Sequence, residues 1–144
     1  MIVYFDTSAL VATYVADTCT TKAMRARRAA NGIATSLLAY AETLAAFGML
    51  QRSRKLTPSA RRLAESRFLA DWAGFRHVRL EGRLLPDIRR VLAAHPLKGA
   101  DSVHLASACV VARGCTNAGI DCSFACDDRP LAAAARAEGL VLAW

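Results

Sequence analysis

The sequence has 144 residues, a length that predicts one domain, residues 1–144, able to bury a core without disulfides or a structural metal. Apolar residues make up 54% of the chain, which excludes a disordered protein. The formal net charge of +7 favours an anionic partner, although for any single basic cluster a solvated helix face is an equal alternative.

The composition also argues against membrane insertion and secretion. No uncharged run approaches the roughly 18 residues of a membrane span, so we expect no membrane partner. The apolar run at the N-terminus has no basic region before it, and Asp6 interrupts it. Such a start does not match a signal peptide, and we therefore expect a cytoplasmic protein.

Short, uncharged, β-prone segments alternate along the chain with longer segments of helical periodicity. The first strand is predicted at 2–5, and the capping-type residues Asp6, Thr7 and Ser8 indicate a helix start directly after it. The alternation predicts an α/β fold, with a parallel sheet flanked by helices on both faces. The other predicted strands are 33–35, 77–80, 123–126 and 140–142, and the predicted helices are 21–30, 36–55, 57–73, 84–94, 100–112 and 129–137.

Three stretches of the chain are uncharged except for a single carboxylate in each, and a fourth apolar run ends in two adjacent carboxylates. A carboxylate in apolar sequence is costly to bury unless something compensates it. If four such groups meet, each close pair at about 4 Å repels by roughly 4 kcal/mol, and a divalent cation would offset that repulsion. The carboxylates are Asp6, Glu42, Asp101 and the pair Asp127 and Asp128.

Helix capping is the alternative explanation for three of these carboxylates. Asp6, Asp101 and Asp128 each lie at a predicted helix start, where an Asp side chain stabilises the first turn by about 1 kcal/mol. Glu42 lies too far inside its predicted helix to cap it, and no basic residue is three or four positions away. Such a side chain should face either a cleft or an arginine partner, and this position favours the cleft.

Four blocks of this sequence resemble those of PIN-domain nucleases. Residues 3–10 resemble the first block, in which a strand ends in Asp followed by Thr/Ser-Ser-x-Leu, and residues 35–42 resemble the second, a Ser-capped helix carrying Glu. Residues 97–106, Leu-Lys-Gly-Ala-Asp-Ser-Val-His-Leu-Ala, are similar to the third block, and residues 124–140 are similar to the fourth. The blocks occur in order across essentially the whole chain, and its size and spacing resemble the stand-alone VapC toxins of toxin–antitoxin pairs.

The resemblance implies a single PIN-like domain and an endoribonuclease that depends on Mg²⁺ or Mn²⁺. It assigns the catalytic and metal-binding roles to Asp6, Glu42, Asp101 and Asp128. In the family such sites hydrolyse RNA to leave a 5′-phosphate and a 3′-hydroxyl. Asp6 and Asp101 would ligate the cation directly or through water, and the other two would complete the site or orient water.

The fourth block departs from the family pattern, which usually reads Thr/Ser-x-Asp-x-x-Leu. Cys126 stands at the hydroxyl position, and Asp128 keeps the spacing to Leu131. This spacing favours Asp128 over Asp127 for the site, and Asp127 remains the alternative.

The resemblance also implies partners: an RNA substrate, a cognate antitoxin and a second copy in a homodimer. The apolar stretches 9–15 and 44–50 are candidates for a groove that takes an antitoxin helix, or they are plain core. His104 could hydrogen-bond Asp101, although a packing role is favoured for it. Tyr40 could line the cleft or pack elsewhere.

Two other functions are alternatives to an endoribonuclease. A phosphatase with an aspartyl nucleophile would require a second Asp two residues after Asp6, and Ser8 occupies that position. A non-catalytic PIN-fold module that binds RNA or a partner stays open, although such a module has no need of four acidic blocks.

Overall fold

The uncharged N-terminal segment forms an inner strand of a four-stranded sheet in the computed structural model, which describes residues 1–144. Eleven strands and helices follow the alternation that the sequence predicts, and a 3₁₀ turn at Gly82–Leu84 precedes the fifth helix. The elements are β1 (Ile2–Phe5), α1 (Thr7–Val11), α2 (Thr20–Ala29), β2 (Gly32–Ser36), α3 (Leu38–Arg52), α4 (Pro58–Trp72), β3 (Arg76–Val78), α5 (Leu85–Ala94), α6 (Gly99–Asn117), β4 (Cys122–Ala125) and α7 (Arg129–Ala137).

The sheet is entirely parallel and has the strand order β3-β2-β1-β4. The chain runs outward from β1 through β2 to β3 and then returns to the other side of β1 to form β4. Strand order therefore reverses beside the carboxyl end of β1, and such a reversal opens a crevice in parallel α/β sheets. Asp6 follows β1 directly at this point, and its backbone N–H donates to the Ala125 carbonyl at the end of β4 over 3.1 Å.

Helices cover both faces of the sheet, because the side chains of a strand alternate between the two faces. Ile2 and Tyr4 pack into the core beneath α5, α6 and α7, whereas Val3 and Phe5 pack into the core beneath α1 to α4. All four side chains of β1 are buried. The predicted α/β architecture with helices on both faces is confirmed.

The predicted strand at 140–142 is wrong. This segment touches the sheet edge only through an isolated bridge between Phe124 and Leu142. The Phe124 N–H donates to the Val141 carbonyl, and the Phe124 carbonyl accepts from Ala143. One residue of β4 thus makes all the ladder hydrogen bonds to the segment, which is too few for a strand.

The helix predicted at 100–112 continues to Asn117. Gly114 keeps a helical backbone, and the chain leaves the helix only near Gly119, which has a φ of +66° that favours glycine. At 19 residues, α6 is the longest helix. None of the helices combines the length and the apolar character that crossing a membrane requires.

The aromatic residues Phe68, Trp72 and Phe75 pack into the core. Phe68 is fully buried and Phe75 is 9% exposed. Tyr40 packs on this group, with its ring centroid 5.1 Å from that of Trp72 and 6.0 Å from that of Phe68. Tyr40 is therefore part of an aromatic cluster and does not line a cleft.

Replacing Phe68 with Ala should lower the free energy of unfolding by about 3–5 kcal/mol, because the change leaves a cavity among packed rings. Leu63→Ala, on the same helix with Leu63 52% exposed, should change it by about 0.5 kcal/mol or less. Urea denaturation of both variants measures the difference. Equal losses would show that α4 does not pack as described.

Candidate active site

A cleft of about 830 Å³ opens where β1 and β4 end. Four of the five carboxylates singled out in the sequence line this cleft, although the chain separates the first from the last by more than a hundred residues. They are Asp6, Glu42, Asp101 and Asp128. The structure therefore brings the four acidic blocks to one place.

Asp6 is both a helix cap and a buried wall of the cleft. Its Oδ1 accepts hydrogen bonds from the Ala9 N–H at 2.8 Å and the Ser8 hydroxyl at 2.9 Å. The side chain is 4% exposed. Burial raises the pKa of Asp6 above its ordinary value, although the Ala9 N–H and the Ser8 hydroxyl act in the opposite direction.

Glu42 projects from α3 toward two donors on other elements. Its Oε2 accepts hydrogen bonds from the Thr7 hydroxyl at 2.5 Å and from Nε2 of His104 at 2.9 Å. Burial acts to raise the pKa of Glu42, but the hydrogen bonds from His104 and Thr7 outweigh it and hold that pKa below its ordinary value. The prediction that Glu42 faces a cleft is confirmed, since its side chain lines the cavity and has no arginine partner.

His104 bonds Glu42 and not Asp101, so the suggested bond to Asp101 is wrong. Although the two residues are three positions apart on α6, the imidazole lies in the protein interior and is 3% exposed. There it contacts Tyr4 of β1, Thr7 of α1 and Glu42 of α3.

Asp101 and Asp128 keep carboxylate oxygens free of protein donors. Asp101 lies in the first turn of α6, and neither of its oxygens accepts a hydrogen bond from the protein, so it does not cap that helix. Asp128 caps α7, with Oδ1 accepting from the Leu131 N–H at 2.8 Å, and its Oδ2 has no such partner. The capping alternative thus holds for Asp6 and Asp128 without removing either from the cleft.

The fourth-block residues beside Asp128 have structural contacts. Cys126 is 5% exposed, and its Sγ donates to the Asp128 carbonyl at 3.4 Å. Burial raises the pKa of this thiol, so it stays neutral and supports the turn before α7. Asp127 does not line the cleft, and its backbone N–H contacts the Ser8 hydroxyl at 3.4 Å.

The donor set suits a hard divalent cation held partly through water. No three His, Cys, Asp or Glu side chains are gathered closely enough to hold a metal ion directly. Asp6, Glu42 and Asp128 are instead fixed by separate donors around one cleft, and Asp101 has no protein donor. Mg²⁺ prefers oxygen ligands and keeps several waters while using one or two carboxylates, so the free oxygens of Asp101, Asp128 and Glu42 and the carboxylate of Asp6 fit it.

The sequence-based predictions do not place three further charged residues in the cleft. Asp17, Lys55 and Lys98 all line it, which gives five carboxylates and two lysines in a protein with a net charge of +7. Lys98 comes directly before the helix that carries Asp101, and this adjacency was the one available signal. The loop position of Asp17 gave none.

One wall of the cleft is apolar. Val11 and Val15 from the first predicted apolar stretch line this cavity together with Met49 and Leu50 from the second. Met49 is 64% exposed, whereas Leu10 between Ala9 and Val11 is fully buried. Each stretch is therefore core on one side and cleft wall on the other.

Two charge-removing substitutions in the cleft should change metal-free stability in opposite directions. Asp6→Asn keeps a capping oxygen and removes a buried charge, so the melting temperature should rise. Glu42→Gln weakens two charge-assisted hydrogen bonds and should cost about 1 kcal/mol. Thermal melting in a chelator at pH 7 measures both.

The pH dependence of the melting temperature tests this explanation of the Asp6→Asn effect. The Asp6 pKa is raised in the folded state, so its ionisation destabilises the fold at neutral pH. The advantage of Asp6→Asn over wild type should therefore shrink as the pH falls and should vanish below about pH 3, where Asp6 is protonated in both states. Shifts of the two variants in the same direction would contradict this account of the donors.

No family model matches this chain. Two curated relatives do: Ribonuclease VapC45 of Mycobacterium tuberculosis strain CDC 1551 / Oshkosh and Ribonuclease VapC49 of strain ATCC 25618 / H37Rv. Each is 36% identical over 110 residues, which cover 76% of this chain and 76% of the relative.

Three solved structures share the fold. Mycobacterium tuberculosis VapC20, described as a Sarcin-Ricin loop cleaving toxin, matches 92% of this chain and 94% of its own with a TM-score of 0.61 and 21% identity. A toxin–antitoxin complex from Klebsiella pneumoniae covers 99% of this chain and 98% of its own (TM-score 0.64, 15% identity). FitAcB from Neisseria gonorrhoeae covers 99% and 96% (TM-score 0.67, 12% identity).

The structural matches are below 25% identity and support the fold alone. The curated relatives exceed that level, with 36% identity over 76% of the chain. On this similarity, the chain belongs to the VapC family of PIN-domain ribonucleases.

Proposed function

We propose that this protein is a single-domain endoribonuclease that uses Mg²⁺ or Mn²⁺ at the cleft formed by Asp6, Glu42, Asp101 and Asp128. The observation that carries the proposal is the meeting of these four carboxylates around one cavity in a member of a ribonuclease family. A pure binding module has no use for this arrangement, because metal-free carboxylates repel a phosphate backbone.

The chemistry needs a positive charge at the cleft. When bound, a divalent cation makes water a better nucleophile near neutral pH and offsets the charge that builds on the scissile phosphate. Asp6 and Asp101 would hold the cation, directly or through water. Asp6 suits this role because it is buried and its hydrogen-bond donors, Ser8 and Ala9, are neutral, and Asp101 suits it because both oxygens are free of protein donors.

The other two carboxylates would act on the water molecules of the cleft. Glu42 has one oxygen held by protein donors, and its Oε1 is available to orient the attacking water and to accept its proton. The free Oδ2 of Asp128 would complete the site from the carboxyl end of the neighbouring strand β4. In-line attack on the phosphate would leave a 5′-phosphate and a 3′-hydroxyl.

Lysines at the cleft provide contacts for the RNA backbone. Lys55 and Lys98 are the basic residues that line the cavity, and Lys55 continues a basic segment that includes Arg52 and Arg54. Phosphate is repelled by the carboxylates and attracted by the lysines. RNA and the divalent cation should therefore bind cooperatively.

An antitoxin is the expected protein partner, because one structural neighbour is a toxin–antitoxin complex. The apolar wall that contains Met49 and Leu50 beside the cleft suits a partner helix that would also block the site. We further expect a homodimer, and a cytoplasmic location where RNA is available.

Cleavage of RNA should require both the cation and Asp101. Wild-type protein incubated with total RNA and Mg²⁺ or Mn²⁺ should produce discrete fragments, and a chelator should stop the reaction. Asp101→Asn should reduce the cleavage rate roughly 10²–10³-fold, because it removes a carboxylate that would hold the cation. Without that cation, the charge that builds on the phosphate in the transition state is not offset.

Asp121→Asn is the matched control, since Asp121 is exposed and lies outside the cleft. It should cleave at the wild-type rate. Fragments that persist in chelator, or that Asp101→Asn yields at the wild-type rate, would count against this site.

Lys98→Ala should raise KM for RNA and reduce the slope of log KM against log salt concentration by about 1, because one phosphate contact is lost. Lys22→Ala removes the same charge from an exposed position on α2, outside the cleft, and should leave both quantities unchanged. Initial rates at several salt concentrations measure the effect. Equal changes in the two variants would mean that net charge, not the cleft lysine, governs RNA binding.

A further inference from the structure

The imidazole of His104 is buried beside the cleft and is not one of the four acidic residues. We propose that His104 is a positioning residue that acts through Glu42: together with Tyr4 and Thr7 it holds one carboxylate oxygen and leaves the other for the cleft. This inference rests on the proposed function and deepens it.

Four elements meet at this carboxylate. Tyr4 lies on β1, Thr7 on α1, Glu42 on α3 and His104 on α6. The Tyr4 hydroxyl is 3.1 Å from Nδ1 of His104, and Nε2 of His104 is 2.9 Å from Oε2 of Glu42. The Thr7 hydroxyl contacts both Oε2 of Glu42 and, at 3.0 Å, Nε2 of His104. Glu42 is thus tied to the centre of the sheet.

The protons of this network can be placed without charging the imidazole. Tyr4 is fully buried, so its phenol keeps its proton and donates to Nδ1 of His104. The imidazole proton then lies on Nε2 and points at Oε2 of Glu42, and the Thr7 proton points at the same oxygen. In the other neutral tautomer two lone pairs would face each other between His104 and Glu42, which is unfavourable.

Fixing the oxygen in this way has a consequence for the cleft. Two donors occupy Oε2 of Glu42, and no protein donor contacts Oε1. A glutamate side chain free to change rotamer would present either oxygen, or neither, to the reacting groups. Outer hydrogen-bond partners that orient a ligand carboxylate typically contribute about 10–100-fold in metal affinity or activity.

The other histidines show that such a role is specific to His104. His77 stacks on Trp72 with ring centroids 4.1 Å apart. His95 forms a similar pair with a glutamate, with Nε2 2.8 Å from Oε1 of Glu138, but neither residue lines the cleft. The His95–Glu138 pair therefore supplies a matched control.

The test compares His104→Leu, which fills the space without a donor, with His104→Gln, whose amide can donate to Glu42. His104→Leu should lower kcat for RNA cleavage about 10–100-fold and weaken Mn²⁺ binding, measured without RNA by electron paramagnetic resonance, with KM for RNA little changed. His104→Gln should recover most of both losses, and His95→Gln should match wild type. Thr7→Val removes the second donor and should lower kcat in the same direction, so the proposal stays testable if His104→Leu does not fold.

A double substitution separates positioning from packing. If His104 acts through Glu42, His104→Leu should have almost no additional effect on kcat in a Glu42→Gln background. Equal effects of His104→Leu in both backgrounds, or a His104→Gln variant as impaired as His104→Leu, would overturn the positioning role while wild-type cleavage stands. Wild-type protein that neither binds Mn²⁺ nor cleaves RNA would overturn the proposed function and this inference with it.

Discussion

The concentration of negative charge at the carboxyl ends of β1 and β4 governs the cleft. Five acidic side chains line one cavity, and a carboxylate held there costs free energy unless donors or a cation compensate it. The protein reduces this cost by giving the principal carboxylates different donors: a helix N-terminus for Asp6, a histidine and a threonine for Glu42, and a second helix N-terminus for Asp128. A hydrated cation between these carboxylates would offset the negative charge that the donors leave uncompensated, and the proposed chemistry depends on this cation.

The parallel sheet determines where these donors lie. Strand order reverses beside β1, so Asp6 and Asp128 follow neighbouring strands and both cap the helices that begin there. The same position therefore lets each of these aspartates cap its helix and line the cleft. A helix N-terminus stabilises a negative charge by about 0.3–1 kcal/mol, so it compensates each of these carboxylates only in part.

Much of this arrangement could be predicted from single residues. A carboxylate alone in uncharged sequence, as at Glu42, indicates a cleft because no neighbour on its own helix can neutralise it. Contacts between elements could not be predicted. Helical spacing suggested Asp101 as the partner of His104, but the direction of the imidazole depends on Tyr4 and Thr7, which lie about a hundred residues away in sequence. The strand predicted at 140–142 was wrong for the same reason. Whether this segment is a strand depends on its pairing with β4, and Phe124 alone pairs with it.

The central claim is that separately anchored carboxylates share a cation through water. Anomalous diffraction from crystals grown with Mn²⁺ tests it most directly. We expect one or more Mn²⁺ peaks inside the cleft, with Asp6 or Asp101 as a direct ligand and Glu42 still bonded through Oε2 to His104. Saturating Mn²⁺ with no peak in the cleft, or a Glu42 carboxylate that has left His104 to chelate the ion through both oxygens, would contradict the account.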